Sequence, residues 1–435
     1  MSRISHILGL NWEERLSEVF EENIKPVNEI KSYLKKIIVE EIKGRKKKII
    51  KPHAEILKMT FFYNTSTRLP VLLKIPENPE DAVYEENVLK LMLSNMGCDN
   101  IPRIYALLEG IGKKKVLVME SCTKVDFSDF GSNNLEAKLI SYDHAIKRGQ
   151  TEKVEKLKTT RPEMFRKIAE TLANIVKSNY ILLQRAGFDP SHESSKVEFE
   201  VEGERFCIPV KGRRYYRGRF LERIGWILDY LGVRPEEKEK CLEEGKELIF
   251  KRPSEKRKDI FDWTEFRPYT IVHGNLKAPN IIVTYDKKIK LIDWRRASIA
   301  SHIVDQIFMY NPNPSKAIPD FEMEIIQNHY LNELIKEGLI QDLDLLMFKE
   351  ALELRLFYEG IRRASDISMF MKRNSNRNLS RRERRYVKTF KEHLRKSGEI
   401  LDRFIEKGYV DPRYLSLRDL REWLIKTPLG EYMFD

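Results

Sequence analysis

The stretch from Ile271 to Trp294 constrains this chain more than any other. It begins Ile-Val-His-Gly-Asn-Leu-Lys-Ala-Pro-Asn-Ile-Ile-Val and closes on Lys-Leu-Ile-Asp-Trp. The apolar run Ile281 to Val283 and the run Ile289 to Ile292, interrupted by Lys290, flank a turn at Tyr285, Asp286 and Lys287. That pattern predicts a short hairpin. Asn280 and Asp293 then both sit where a short strand meets a loop.

These loops resemble the catalytic and metal loops of kinases. They are most similar to the aminoglycoside phosphotransferase and choline kinase branch of the protein-kinase-like fold, whose loop runs His-Gly-Asp, four residues, Asn, with a later Ile-Asp-Trp. Phosphoryl transfer needs a carboxylate facing the attacking hydroxyl, an amide oxygen on Mg2+ and a carboxylate on Mg2+. The resemblance gives the metal roles to Asn280 and Asp293 and makes ATP and Mg2+ the expected cofactors. It places Asn275 where the branch has the Asp that orients and deprotonates the substrate hydroxyl. An amide takes no proton at neutral pH, although its oxygen can orient a hydroxyl. Losing a general base costs roughly a hundred- to ten-thousand-fold in rate. Three readings stay open: a pseudokinase that binds nucleotide or RNA, a weak enzyme that works by positioning, or an active kinase whose Asp has been replaced.

The same resemblance assigns further residues. Lys74, on the second strand of a hairpin, would contact the α- and β-phosphates, and Glu85, on the following helix, would pair with it, with Glu86 one step away as the alternative. Val116 to Cys122 resembles the strand and hinge at which backbone groups of Glu120 and Cys122 meet the adenine edge. His273 and Asp305 take structural roles, the one packing under the metal loop and the other bracing the catalytic loop; a plain N-cap is the alternative for Asp305. Lys277 stands where protein kinases often have a lysine on the transferred phosphate, and a solvated surface lysine is the alternative. The glycine-rich phosphate loop is the weakest match, since its counterpart, Lys43 to His53, holds one glycine among several lysines.

A chain of 435 residues, 41% of them hydrophobic, can bury a sizeable core and suits two lobes. The expected fold is α+β: a kinase-like N-lobe over residues 50–121, a helical C-lobe with insertions over 122–370, an N-terminal helical extension over 1–49 and a helical tail over 371–435. Helical spacing from Trp12 through Leu16, Ile24, Ile30 and Leu34 to Ile38 supports the extension. Hairpin patterns fall at Ala54 to Ile75 and 196–210, and helices at about Pro79 to Met96, Met164 to Ala186, Arg219 to Leu231, Pro235 to Phe250, Asp320 to Glu337, Leu343 to Met371, Arg381 to Lys407 and Leu417 to Lys426. Asp126 to Thr160 reads as a polar insertion with short helices.

Four scattered cysteines without a Cys-x-x-Cys pair indicate neither a zinc ribbon nor a disulfide framework. A reducing, cytoplasmic setting is expected. No run is long and apolar enough to span a bilayer. The formal charge of +12 favours anionic partners such as nucleotides, phosphorylated metabolites or RNA. Basic clusters lie at Lys43 to Lys48, Lys211 to Arg219 and Arg381 to Arg385. The second mixes Arg213, Arg214 and Arg217 with Tyr215 and Tyr216, a composition suited to phosphate contact and base stacking on an RNA or phosphorylated-metabolite acceptor; a solvated hairpin exit is the alternative.

Overall fold

The structure, a computed structural model, describes the chain outside residues 1–4, 9–10, 13, 17, 19–33, 42–53, 64–67, 98, 123–144, 191–194, 251–258, 285–287, 310–319, 342–343, 376–377, 380, 408–415 and 435. The candidate phosphate loop, Lys43 to His53, and the first basic cluster lie outside the described residues.

Five strands, β1 (Leu34–Glu41), β2 (Ala54–Tyr63), β3 (Arg68–Pro76), β4 (Ile104–Glu109) and β5 (Lys115–Glu120), form an antiparallel sheet in the order β1-β2-β3-β5-β4. Helix α1 (Pro79–Met96) connects β3 to β4. It opens on Asn78, whose side chain accepts from the Glu80 N–H, with Pro79 at the first position and Glu80 and Asp81 in the first turn; Gly97, at φ 72°, ends it.

The sheet hairpin, α1 and β5 fall where the apolar patterning puts them, whereas β1 corrects it. Leu34, Ile37 and Ile38 fit a helical period, yet Ile37-Ile38-Val39 is a β-branched run whose backbone pairs antiparallel with β2. Such side chains lose rotamer freedom in a helix and pack well on a pleat. The sheet therefore starts at Leu34, inside the expected helical extension.

Alternation along β3 sorts its side chains between two cores. Val71, Leu73 and Ile75 pack with Ile7, Leu8, Trp12 and Leu16 on one face. Leu72 faces the other way, into the larger core shared with Val88, Leu89 and Met92 of α1. Lys74, two residues beyond Leu72, projects to that second side.

The remainder is mainly helical: α2 (Thr151–Arg185), α3 (Arg213–Tyr230), α4 (Pro235–Phe250), α5 (Asp320–Lys336), α6 (Asp344–Arg373), α7 (Arg381–Lys407) and α8 (Ser416–Ile425). A hairpin of β6 (Lys196–Val201) and β7 (Glu204–Pro209) interrupts them as expected. Two further pairs, β8 (Tyr269–Val272) with β11 (Ser298–Ser301) and β9 (Ile281–Val283) with β10 (Ile289–Leu291), carry the candidate loops. Helix α2 begins earlier than its apolar period, so the end of the expected polar insertion is helical; residues 123–144 of that insertion lie outside the described residues. A helical majority with antiparallel sheets is compatible with the α+β expectation. No helix among the described residues is long and apolar enough to cross a membrane.

His302 shows how polar groups enter this core. Its Nε2–H donates to the Arg267 carbonyl (3.1 Å), Nδ1 accepts from the Tyr330 hydroxyl (2.7 Å), and the ring stacks on Phe348. Burial lowers its pKa from 6.5 to about 3. Below pH 6.5 the unfolded chain takes a proton that the folded chain refuses, so this residue removes stability as the pH falls towards 3. His302→Gln should lessen the acid loss by up to about 1.4 kcal/mol per pH unit across that window; parallel urea titrations of the two chains at pH 6.5 and 4.5 that shift by equal amounts would sink this assignment.

Candidate functional site

Lys74 joins the sheet to the loop after β10. Its ammonium donates to both Glu85 carboxylate oxygens (2.9 and 2.6 Å) and to Asp293 Oδ1 (2.7 Å). Lys74 is buried and Glu85 fully so, while the Asp293 side chain keeps 21% exposure. Burial pulls the lysine's pKa down, but the two carboxylates outweigh it and raise the value, so the ammonium stays charged. Burial likewise works to raise Asp293, and Lys74 and then Arg295, whose Nε lies 3.2 Å from Oδ1, reverse this and hold it well below the usual carboxylate range. Glu85, rather than its neighbour Glu86, meets Lys74; Glu86 turns to Lys90.

Helix α1 also fixes the loop itself. Glu85 Oε1 accepts the Trp294 N–H (3.1 Å), and the Tyr84 hydroxyl donates to the Ala297 carbonyl (2.7 Å). Asp293 adopts φ 73°, a left-handed conformation uncommon outside glycine. Such strain is sustained only where neighbours over-determine the backbone, and here bonds on both sides of Asp293 do so.

The loop after β8 is built around Asp305 and His273. Asp305 accepts the N–H groups of His273 (2.6 Å) and Gly274 (3.0 Å). Burial pushes its pKa up to about 7 against those two bonds. The buried His273 ring has its pKa lowered to about 4 by burial. Neutral, it donates from Nε2 to the Ile292 carbonyl (2.7 Å) and accepts the Asn275 N–H on Nδ1 (3.3 Å). The ring thus links the two candidate loops, with both nitrogens engaged. Asn280 Nδ2 donates to the Asn275 carbonyl (3.1 Å), leaving its amide oxygen as the atom able to meet a cation. The backbone of Asn275 is therefore held on both sides.

These contacts allow a test of fit for a metal. Among the described residues no group of three or more His, Cys, Asp or Glu is placed to hold an ion. Asp293 and Asn280 instead offer one ionised carboxylate and one amide oxygen, hard donors suited to Mg2+ that keeps waters and substrate phosphates as its remaining ligands. Residue types and contacts fit that group.

Other expected site residues sit differently. The Glu120 carboxylate pairs with Lys290 (2.7 Å to each oxygen), and its N–H donates to the Arg103 carbonyl (2.8 Å), so that donor faces the protein. Cys122 is buried, and burial raises its thiol to about 12. Arg213 pairs with Asp259, Asp262 and Glu265, and Arg217 with Asp259. Tyr216 is packed between Trp263 and Tyr358. These three of the expected acceptor contacts hold α3 in place instead; Arg214 and Tyr215 remain exposed. Sequence reasoning missed Arg295 on Asp293, although it lies two residues on. Lys290, a charge inside an apolar run, was the visible signal for the pair with Glu120.

No protein family model matches the chain, and no curated protein does. The fold is similar to solved structures of phosphotransferases and kinases. Macrolide 2'-phosphotransferase MphH from Brachybacterium faecium is 11% identical, with 87% of this chain and 97% of that one covered and a TM-score of 0.44. An ADP-bound aminoglycoside phosphotransferase, APH(2'')-Ib, is 12% identical over 90% and 99%, TM-score 0.44. Ethanolamine kinase of Plasmodium vivax is 11% identical over 80% and 79%, TM-score 0.46. They are of the kind that the loop residues resemble.

Gly274, at φ +71°, packs so tightly that an added Cβ would meet the Arg296 carbonyl oxygen at 2.2 Å. Neither atom belongs to a flexible side-chain end. Gly274→Ala should destabilise the chain by about 2 kcal/mol or more; an unchanged urea midpoint would show that the two loops are not packed this way.

Proposed function

We propose that this chain is an ATP- and Mg2+-dependent phosphotransferase of two-lobed, protein-kinase-like architecture that acts on an acceptor hydroxyl. The observation that carries the reading is the convergence of Lys74, Glu85 and Asp293 from a sheet strand, a helix and a loop. In this reading the small lobe runs from Leu34 to Glu120 and the helical lobe follows, with the tail beyond residue 370 packed on it. A cytoplasmic setting accompanies this reading.

The residues divide the work as follows. Asp293 and Asn280 hold Mg2+, which when bound screens the charge of the transferred phosphoryl group. Lys74, aimed by the fully buried Glu85, takes the nucleotide α- and β-phosphates. Glu120 through its carbonyl and Cys122 through its backbone border the adenine site, the Glu120 N–H being held by the Arg103 carbonyl. Asp305 and the neutral His273 hold the loop so that Asn275 faces the acceptor. Asn275 orients the hydroxyl through its amide oxygen and accepts no proton, so the rate relies on positioning.

Asn275 itself favours a second reading, a pseudokinase that binds nucleotide and uses the fold as a scaffold. The two separate in direct measurements. Asp293→Ala should abolish Mg2+-dependent nucleotide binding by calorimetry, and unchanged affinity would remove the metal assignment. Lys74→Ala should weaken ATP binding at least tenfold; full affinity in a folded variant would take that residue out of the site. Asn275→Asp should raise γ-phosphate transfer by about a hundred- to ten-thousand-fold if the chain is a kinase limited by its missing base. Bound nucleotide with no transfer in either form, against a broad acceptor mixture, would favour the scaffold.

A further inference from the structure

Positive charge collects around the loop that holds Asn275, beyond what the function above employs. Lys277 lies two residues after Asn275, and the Arg296 backbone is packed on Gly274. Lys211 reaches the same place from β7: its N–H donates to the Ile299 carbonyl (2.8 Å), and Val210 bridges Ile299 in parallel. Ile299 lies on β11, which pairs with the strand leading into the Asn275 loop. Helix α6 adds Arg362 and Arg363, both bonded to the fully buried Glu359 (2.6 and 2.7 Å).

Glu359 and Asp366 answer the charge of the α6 arginines. Among the described residues, no carboxylate forms an ion pair with Lys211, Lys277 or Arg296. Asp305 and Asp293 are the acidic groups whose field reaches the two lysines, and both already serve other partners. Burial, then the field of Arg296 and Arg219, lowers Lys211 to about 8; burial, then Arg363, lowers Lys277 to about 8. The start of helix α3, two residues after Lys211, is already answered by Asp259, Asp262 and Glu265 on Arg213, so the uncompensated charge is that of the two lysines and Arg296. An anion at this place would satisfy those three cations together.

We propose, on the phosphotransferase reading above, that the acceptor is a small molecule already carrying a phosphate group, and that Lys211, Lys277 and Arg296 receive that phosphate beside Asn275. One lysine following the base position would serve the transferred group alone; three cations without ion-pair partners exceed that need. Lys211 and Lys277 are half-buried and Arg296 is exposed beside them, a small group of cations that suits one phosphate better than the spaced phosphates of an RNA backbone. Tyr215, exposed and with Lys211 and Arg219 over its ring (5.5 and 5.7 Å), offers a surface for the body of the molecule.

The test is calorimetry of the full chain with inorganic phosphate, glycerol phosphate and glycerol, each with and without saturating Mg2+ and a non-hydrolysable ATP analogue. Phosphate and glycerol phosphate should bind alongside the nucleotide, and glycerol should not. Lys211→Gln and Arg296→Gln should each weaken phosphate about tenfold or more while nucleotide affinity and melting temperature hold. Phosphate displaced by the nucleotide, or equal phosphate affinity in both variants, would overturn the proposal. So would an RNA hairpin that binds more tightly and displaces phosphate through the same cations. Phosphate binding that depends on these cations in a chain that binds no nucleotide would instead fault the phosphotransferase reading beneath it.

Discussion

The arrangement depends on one ammonium shared by two carboxylates. A buried ion pair is poor evidence of stabilisation, because desolvation of the charges offsets much of their attraction. Removing one partner, by contrast, strands the other and costs about 3–5 kcal/mol. Lys74 is thereby committed to this position once Glu85 is buried beneath it. The two carboxylates are not equivalent. Glu85 is fully enclosed and also accepts the Trp294 N–H, whereas Asp293 is partly open to solvent. Under the proposed function, nucleotide phosphates arriving at Lys74 would take the place of Asp293 without disturbing Glu85. The pair fixed by the fold is Lys74 with Glu85, and the exchangeable bond is Lys74 with Asp293.

That asymmetry needs a rigid frame on the loop side, and neutral hydrogen bonds supply it. His273 has its ring charge suppressed by burial and uses one nitrogen toward each candidate loop. A charged ring would have to donate from both nitrogens and would lose its acceptor site for the Asn275 N–H. Asp305 fixes the start of the same loop through two backbone N–H groups. Close approach of Gly274 to Arg296 then sets the spacing between loops. Positioning of this kind is what phosphoryl transfer mainly demands of a protein.

Much of this was legible because local spacing and the apolar frame coincide. The hairpin between Asn280 and Asp293 follows from two short runs and a turn, and α1 follows from its cap, its proline and its terminal glycine. Lys74 was legible as a strand residue, and α1 brought Glu85 rather than Glu86 to it. What could not be read locally depends on long-range partners. Arg213 and Arg217 look like a free basic cluster until the fold brings Asp259 and Asp262 against them, more than forty residues on. Tyr216 looks like a stacking platform until Trp263 and Tyr358 enclose it. Lys211 and Arg296 gave no joint signal, since a backbone bridge between Val210 and Ile299 is what brings their segments together. At β1 the error was one of period: a β-branched run can satisfy helical spacing by chance, and pairing with β2 decides the matter.

The amide at Asn275 bears on chemistry and not on packing. Its backbone N–H and carbonyl are both bonded, to His273 and Asn280, and those bonds use no side-chain atom of residue 275. The loop would accept a carboxylate in the same place, so the fold does not dictate asparagine. Under the proposed function the cations beside the loop, Lys277 and Arg296, are taken up by the acceptor's own phosphate. Orientation of the hydroxyl is then what the Asn275 side chain would supply, and a carboxylate in its place would add the proton acceptor that an amide lacks.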